Sequence, residues 1–547
     1  MDYQALADLL FPNVTETSEE VEARFPARNL PEGAVVSRMA PSPTGFVHLG
    51  NLVQGTISER MSHQSGGVLF LRVEDTDAKR EVPGAVEVLI DTLKHYGIQF
   101  DEGATHDGDS GIYGPYRQRQ RADIYHVFAK KLVKEGKAYP CFCTEEELTA
   151  MREQQEAAKV NFGYYGQFAM WRDRSLEDIQ AQLNAGNPWV LRFRSTGSLE
   201  NQFKFDDVVK GKLTITENDI DHVLLKSDGI PTYHFAHAVD DHLMGTTHVI
   251  RGEEWLPSLS KHIMLFRYLG FKLPKYLHIA QIMRLDENGN KKKLSKRDMG
   301  ANMDDYSRMG YAPACVCEYI MTLLNSNYEE WHAQNADKPY TDFPFNIKKM
   351  SVSGCLFDFN KLNDVSKNVI SRMSAKEVTE QVTAWALQFD PEFGEKLARD
   401  PAFTESIFAI GRGGKKPRKD LATWADAKPY MGFFFDGKQE DAYPHDFDRA
   451  DIKAALEKFL ATFDIADDMN TWFEKIKAIA REIGYADDMK AYKASPEEYR
   501  GSIADVSMFL RVAVTGKMNA PDLYTVMQIL GKCNTVCRIE SMIERLD

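Results

Sequence analysis

The sequence predicts a doubly wound α/β domain, split by an α+β insertion and followed by an all-α region. Three observations carry this. Over 34–114 and again over 219–300, continuous apolar runs such as "GVLFLRVED" and "THVIRGEEW" alternate with amphipathic stretches such as "GAVEVLIDTLKHYG". That alternation is the signature of a parallel sheet covered by helices. Between 115 and 218 a helical stretch, "RADIYHVFAKKLVKEG", is mixed with the short strands "PWVLRFR" and "GKLTIT". From 301 onward helical periodicity dominates, in "SAKEVTEQVTAWALQF", "DIKAALEKFLATF", "TWFEKIKAIAREIGY", "VSMFLRVAVTG" and "LYTVMQILG". A chain of 547 residues is too long for one core and fits three or four domains.

Residues 1–33 read as a short extension that ends in the turn-rich "PARNLPEG". Its acidic start, "MDYQALADLLFPNVTETSEE", is unlike a basic export signal, and no run is long enough to span a membrane. Seven cysteines are few for this length and argue for a reducing compartment without disulfides. The expectation is a cytoplasmic protein with no membrane partner. A net charge of −14 argues against a protein that coats nucleic acid, but leaves room for a local basic track. Two such tracks exist, "KKKLSKR" at 291–297 and "GRGGKKPRK" at 411–419, and each could equally be a solvated loop.

The first strand runs into "SRMAPSPTGFVHLGN", residues 37–51, and then directly into a helix marked by Leu49, Val53, Ile57 and Met61, with Glu59 and Arg60 between them. A helix that opens near His48 aims unpaired backbone N–H groups at the edge of the sheet, and Gly50 leaves room there for a phosphate. An ordinary strand–turn–helix corner is the alternative. "FLRVEDTD" places Glu74, Asp75 and Asp77 past the next strand, where α/β sheets bind ligands; these carboxylates could hold an ammonium group or magnesium, or cap a turn. "PCFC" sets Cys141 and Cys143 in half of a zinc motif, but the residues after it offer no second pair, so both read as buried thiols and no structural zinc is expected.

"PTYHFAHAVDDHLMG" gathers His234, His237, Asp240, Asp241 and His242. A metal site, a polar pocket lined by Tyr233 and His237, and internal hydrogen bonding all remain open, because nothing in the stretch fixes a helix. "VIRGEEW" ends a strand in Arg251, Glu253, Glu254 and Trp255. With Arg38 at the end of the first strand, it offers two guanidinium forks to one crevice, which suits a substrate with carboxylates. Lys293 and Lys296 follow the turn "DENGN" on a loop able to close over a polyphosphate.

Together these segments resemble the class I aminoacyl-tRNA synthetases, and among them the bacterial-type glutamyl enzymes. "APSPTGFVHLGN" is similar to that family's opening segment with its HIGH signature, and "KLSKR" to its KMSKS signature. "LRVEDTD", "GPYRQRQR", "LLKSDGIPTYHFAHAVDDHLMG" and "VIRGEEW" match in order. The resemblance implies a Rossmann-like catalytic domain in two halves (34–114 and 219–300) around an acceptor-stem-binding insertion (115–218). A stem-contact domain (301–372) and a helical anticodon-binding region (373–547) would follow. It implies a glutamate pocket of Arg38, Ser42, Glu74, Tyr233 and Arg251, with His237 where the family usually has asparagine. His48, Gly50, Lys293 and Lys296 would act on ATP, His48 and both lysines catalytically, with Glu254 and Trp255 around the adenosine. Arg418, or alternatively Arg412, would read the anticodon.

The implied activity is ligation of L-glutamate to the 3′ end of tRNA(Glu) through a glutamyl-adenylate, with ATP as substrate, Mg2+, and a monomeric enzyme. Activation in this family ordinarily requires bound tRNA. The alternatives are an enzyme that also charges tRNA(Gln) with glutamate, a glutaminyl-tRNA synthetase, a smaller nucleotidyltransferase, or a tRNA-binding paralogue without catalysis. The helical C-terminal half argues against the glutaminyl enzyme, and the length against the nucleotidyltransferase. His48, Lys293 and Lys296 argue against the inactive paralogue.

Overall fold

The computed structural model describes residues 1–546 except Thr44, Lys296, Arg297, 351–353 and Lys438. The chain forms two compact units, Met1–Met303 with Ile320–Asp358, and Asp304–Tyr319 with Phe359–Asp547. The stretch 301–372, expected as one stem-contact domain, therefore divides its residues between them.

The first unit is built on parallel strands. Val36–Met39 pairs with Val68–Leu71, and that strand pairs with Glu102–Thr105. On the other side, His248–Gly252 pairs in parallel with Lys275–Ile279. The two halves meet where Thr247 N–H donates to Val36 O at 2.9 Å and Val36 N–H to Thr247 Oγ1 at 2.8 Å. The chain thus winds outward in both directions from Val36–Met39, and the strand order reverses between it and His248–Gly252. In sheets of this kind the crevice for ligands lies at the carboxyl ends of those two strands.

Helix Leu49–Gln64 crosses between the first two strands, burying Leu49, Leu52, Val53 and Ile57. Gly55 lets it come close to the sheet, since a Cβ there would lie 2.9 Å from Met39 Sδ. The charged residues between the apolar positions do not face solvent. Glu59 and Arg60 are buried as an ion pair, and Arg60 Nη1 donates to Thr341 O at 2.6 Å, because the segment around Thr341 covers that side of the helix.

The insertion contains the three-stranded antiparallel sheet of Ala138–Cys141, Val190–Phe193 and Val223–Leu225, and the hairpin Gln202–Asp207/Gly211–Thr216. Residues 1–33, read as a short extension, pack onto the first unit. Helices Tyr3–Leu10 and Ser18–Ala23 place Leu6, Leu10, Phe11 and Val21 in one core with Ile124, Phe128 and Leu132 of helix Ala122–Lys134. Each such side chain contributes about 1.5–3 kcal/mol on full burial. Arg28 then ties the segment to the sheet, donating to Met244 O at 2.9 Å, pairing with Glu102 and lying 3.8 Å from the Tyr113 ring centroid.

The second unit is helical, as the periodicity predicts. Pro391 and Pro401 occupy first helical positions, where no N–H is missed, and Asp390 and Asp400 cap those helices. Helices Ala375–Phe389, Pro391–Arg399, Arg449–Thr462, Met469–Glu482 and Ile503–Thr515 share one core, with Val382, Leu397, Leu456, Ile476 and Phe509 among its members.

Candidate active site

A cavity of about 700 Å³ lies at the strand-order reversal. Arg38, Ser42, His48, Gly50, Glu74, Tyr233, Arg251, Glu254, Trp255 and Lys293 all border it. They come from separate sequence motifs, which the fold brings to one crevice. Lys292, not singled out from the sequence, borders it too. Lys296 lies outside the described residues.

His237 does not border the cavity. "PTYHFAHAVDDHLMG" forms helix Tyr233–Leu243, and His237 is fully buried beneath Tyr233, its ring stacked at 5.7 Å. His237 Nε2 lies 2.9 Å from Tyr276 Oη and Nδ1 lies 2.7 Å from Asp241 Oδ2. Burial lowers its pKa to about 4. The metal reading finds no support in the geometry, since His234 turns to His262 instead, at 2.8 Å.

The two arginines differ. Arg38 Nε is taken by Asp241, at 3.1 and 3.3 Å, so its fork is only partly available. Arg251 Nε meets His278 Nε2 and its Nη1 meets His262 Nδ1, each at 3.0 Å, while the buried Nη2 has no hydrogen-bond partner among the described residues. A buried guanidinium N–H left unpaired costs about 1–3 kcal/mol or more, and a carboxylate ligand would recover that. Glu74 accepts from Arg72 Nη2 at 3.1 Å. Burial, its largest influence, raises the Glu74 pKa to about 7 against the opposing pull of Arg72 and Arg38. Its charge therefore depends on what lies beside it, as suits a carboxylate that receives an ammonium group.

At the other side of the cavity His48 precedes helix Leu49–Gln64, and its backbone N–H donates to Asn51 Oδ1 at 3.1 Å. Gly50 has a specific role here, because a Cβ would lie 3.0 Å from His48 Nδ1. Lys291–Lys293 pairs with Met283–Leu285 across the predicted turn, where Asp286 Oδ1 accepts from Asn288 N and Asn290 N at 2.9 and 2.8 Å. The chain then returns to the histidine turn. Leu49 N–H donates to Ala301 O at 2.9 Å and Met303 N–H to Val47 O at 3.0 Å. Backbone bonds thus tie the segment after the lysine hairpin to the histidine turn.

Several carboxylates behind the cavity shape the site. Asp241 joins Arg38 to Arg72, with the Arg72 contact at 2.7 Å. Asp240 binds Arg121 at 2.7 Å and Tyr125 Oη at 2.8 Å, fastening the insertion to the helix that bears Tyr233. Burial pushes the Asp241 carboxyl up, but Arg38 and Arg72 outweigh it and hold the group well below its usual range. Asp207, at the end of an insertion strand, reaches His278 Nδ1 at 2.7 Å. Asp240 and Asp241 belong to the stretch singled out from the sequence, where internal hydrogen bonding was one of the open readings, whereas the Asp206-Asp207 pair at the end of its strand gave no signal that Asp207 would meet His278.

Cys141 and Cys143 each lie 3.5 Å from Tyr164 Oη, in a small core with Met151, Ala169 and Phe168. Among the described residues no three His, Cys, Asp or Glu are grouped to hold a metal ion. In the helical unit, "GRGGKKPRK" is an irregular loop closed by Arg418 N–H donating to Gly411 O at 3.0 Å. Arg412 is turned inward, its Nη1 donating to Ile370 O and Met373 O at 2.5 and 3.3 Å. Arg418 is exposed and held by Asp420 at 2.6 Å and Tyr430 Oη at 2.9 Å. Among the described residues no helix is long and apolar enough to cross a membrane.

The doubly wound sheet, the interrupting insertion and the histidine–lysine cavity define the class I tRNA synthetase architecture. The family model for the catalytic domain of class I tRNA synthetases (E and Q) matches residues 34–364, and an anticodon binding domain model matches 416–543. The chain belongs to this family of class I tRNA synthetases, and curated relatives that match it over nearly their full length include glutamate–tRNA ligases. The Acetivibrio thermocellus glutamate–tRNA ligase is 49% identical, over 99% of this chain and 100% of its own. That of Clostridium perfringens is 46% identical, over 97% and 99% respectively. A crystal structure of a glutamate tRNA ligase from Elizabethkingia meningosepticum, in complex with its amino acid, superposes with a TM-score of 0.75 at 28% identity, covering 94% of this chain and 100% of that one.

Proposed function

We propose that the cavity binds L-glutamate beside ATP and that the chain ligates glutamate to the 3′ end of tRNA(Glu). The observation that supports this most is Arg251, a buried arginine whose Nη2 has no partner among the described residues and which borders a cavity walled on another side by a helix N-terminus. The substrate's groups sort by chemistry. Its ammonium suits Glu74, and its α-carboxylate must stay free to reach phosphorus. The side-chain carboxylate then falls to Arg251, the guanidinium with an open donor.

In the first step the α-carboxylate attacks the ATP α-phosphorus in line, releasing pyrophosphate and giving glutamyl-adenylate. Positioning and neutralisation of the growing charge do the work. His48 and the positive end of the helix dipole favour the phosphates, Lys293 and Lys296 offer point charge, and magnesium arrives with the nucleotide as part of the substrate. In the second step the ribose 2′-hydroxyl of the terminal tRNA adenosine attacks the activated carbonyl and AMP leaves. The adenosine of ATP would lie by Glu254 and Trp255.

Arg418, exposed and within the matched anticodon binding segment, is the stronger candidate for reading an anticodon base; Arg412 already spends its donors on carbonyls. The enzyme would work in the cytoplasm as a monomer. The test is aminoacylation of purified tRNA(Glu) and tRNA(Gln) with glutamate and with glutamine. Glutamyl-tRNA(Glu) is expected, charging with glutamine would overturn the reading, and glutamyl-tRNA(Gln) would mark the broader specificity.

A further inference from the structure

We propose that His262 and His278 are positioning residues that fix the Arg251 guanidinium without cancelling its charge, and that this neutral brace makes the pocket prefer a side-chain carboxylate to an amide. The inference rests on the reading of Arg251 as the ligand of the glutamate side chain.

The tautomers follow from the contacts. Asp207 Oδ2 lies 2.7 Å from His278 Nδ1, so that nitrogen carries the proton, and Nε2 offers its lone pair to Arg251 Nε–H at 3.0 Å. Arg251 Nη1 donates to His262 Nδ1 at 3.0 Å, which puts the His262 proton on Nε2, 2.8 Å from His234 Nδ1. The two bracing rings, His262 and His278, then each have one donor and one acceptor, and each is neutral. Both bracing rings are fully buried, and burial is the largest influence holding His262 well below, and His278 below, the usual imidazole range. A protonated ring at either place would set an N–H against the guanidinium. The flat faces of Tyr276 and Trp255, at 4.8 and 5.9 Å from the guanidinium carbon, complete the seat.

The other buried arginines around this site are treated differently. Arg38 and Arg72 meet Asp241 at 3.1 and 2.7 Å, and Arg121 meets Asp240 at 2.7 Å. Each of those three has an aspartate carboxylate against it and serves as a strut. Arg251 has imidazole nitrogens where they have carboxylates, so its orientation is fixed while its charge remains for the ligand. A carboxylate ligand gains from that charge in full. An amide oxygen gains much less, and an amide NH2 would face a donor. Replacing one imidazole by a carboxylate would keep the geometry and remove this difference.

The decisive comparison is His262→Asn against His262→Asp. The two side chains have nearly the same size, and either can present an Oδ acceptor where His262 Nδ1 stood; they differ in charge. The measurement is the ratio of kcat/KM for glutamate to that for glutamine in aminoacylation of tRNA(Glu), together with KM for ATP. His262→Asn is expected to keep the ratio within about three-fold of wild type, and His262→Asp to lower it by about ten-fold or more, with KM for ATP unchanged in both. Equal ratios in the two variants would overturn the brace. At the second position His278→Gln, which keeps an acceptor, should hold the glutamate KM, while His278→Leu should raise it with little change in kcat; if the leucine variant does not fold, the His262 pair decides. Arg251→Gln separates the two levels of inference. If it leaves the ratio intact, the reading of Arg251 itself fails. If it abolishes the ratio while the His262 variants agree with each other, only the brace fails.

Discussion

Lowering the pH from 8 to 6 should weaken the use of glutamate through Glu74. This carboxylate is 6% exposed, with Arg72 Nη2 at 3.1 Å, and burial raises its pKa to about 7. The sign follows from the direction. A carboxyl raised to this value is protonated below it and charged above it, so the partner for the substrate ammonium is lost as pH falls. With a pKa near 7 the ionised share is about 90% at pH 8 and about 10% at pH 6, giving roughly a nine-fold fall in kcat/KM for glutamate. Bound ammonium favours the charged form, so the inflection in kcat should lie at lower pH than that in kcat/KM. The assay is aminoacylation at subsaturating glutamate, with ATP and tRNA saturating, across pH 6–8 in wild type and Glu74→Gln. The variant should be about 10- to 150-fold slower at pH 8, from loss of a charge-assisted hydrogen bond, and should lack the inflection. A flat wild-type profile, or the same inflection in both proteins, would refute the assignment.

Gly50→Ala should slow adenylate formation by displacing the His48 ring, from which its Cβ would lie 3.0 Å, while Tm stays level or rises because alanine favours the helix; an unchanged rate would release His48 from its role. Lys296→Ala, argued from sequence, should cost about 2.7–4 kcal/mol in the chemical step with little effect on glutamate binding, as single-turnover kinetics would show. Arg412→Ala should lower stability by about 1.5–3 kcal/mol, because the carbonyls of Ile370 and Met373 lose the charged donor, and leave tRNA preference alone, whereas Arg418→Ala should change the preference among anticodon variants. Lys415→Ala and Lys416→Ala, both exposed, should weaken all tRNAs alike and reduce the salt slope by roughly one unit for each phosphate no longer neutralised.

The layers of the fold were legible because strand and helix periodicities survive wherever one side of an element is buried. They failed where a second layer covers the other side. Glu59 and Arg60 look like a solvent face along the helix, and only the distant segment at Thr341 makes that face interior. The same limit hid the N-terminal residues. Leu6, Leu10 and Phe11 carry a helical pattern, but their partners Phe128 and Leu132 lie more than a hundred positions away, and no local signal names them.

The site divides in a similar way. The residues that border the cavity sit at strand ends and helix starts, so Arg38, His48, Glu74 and Arg251 could be placed there from motif context alone. The residues that decide what those groups can do lie behind them and come from elsewhere in the chain. Arg38 and Arg251 are equivalent on paper, each a guanidinium at the end of a parallel strand. They become different only because Asp241 meets one at 3.1 Å and two imidazoles meet the other at 3.0 Å. Burial makes that difference large, since in a site with little water a neighbouring charge is neither screened nor replaced. His237 makes the same point from the opposite side. Within its motif it looks like a ligand residue, yet with Asp241 at 2.7 Å and Tyr276 at 2.9 Å it lies beneath Tyr233 and outside the cavity lining. A substitution at His237 should therefore act through the tilt of Tyr233 and the hold on Asp241.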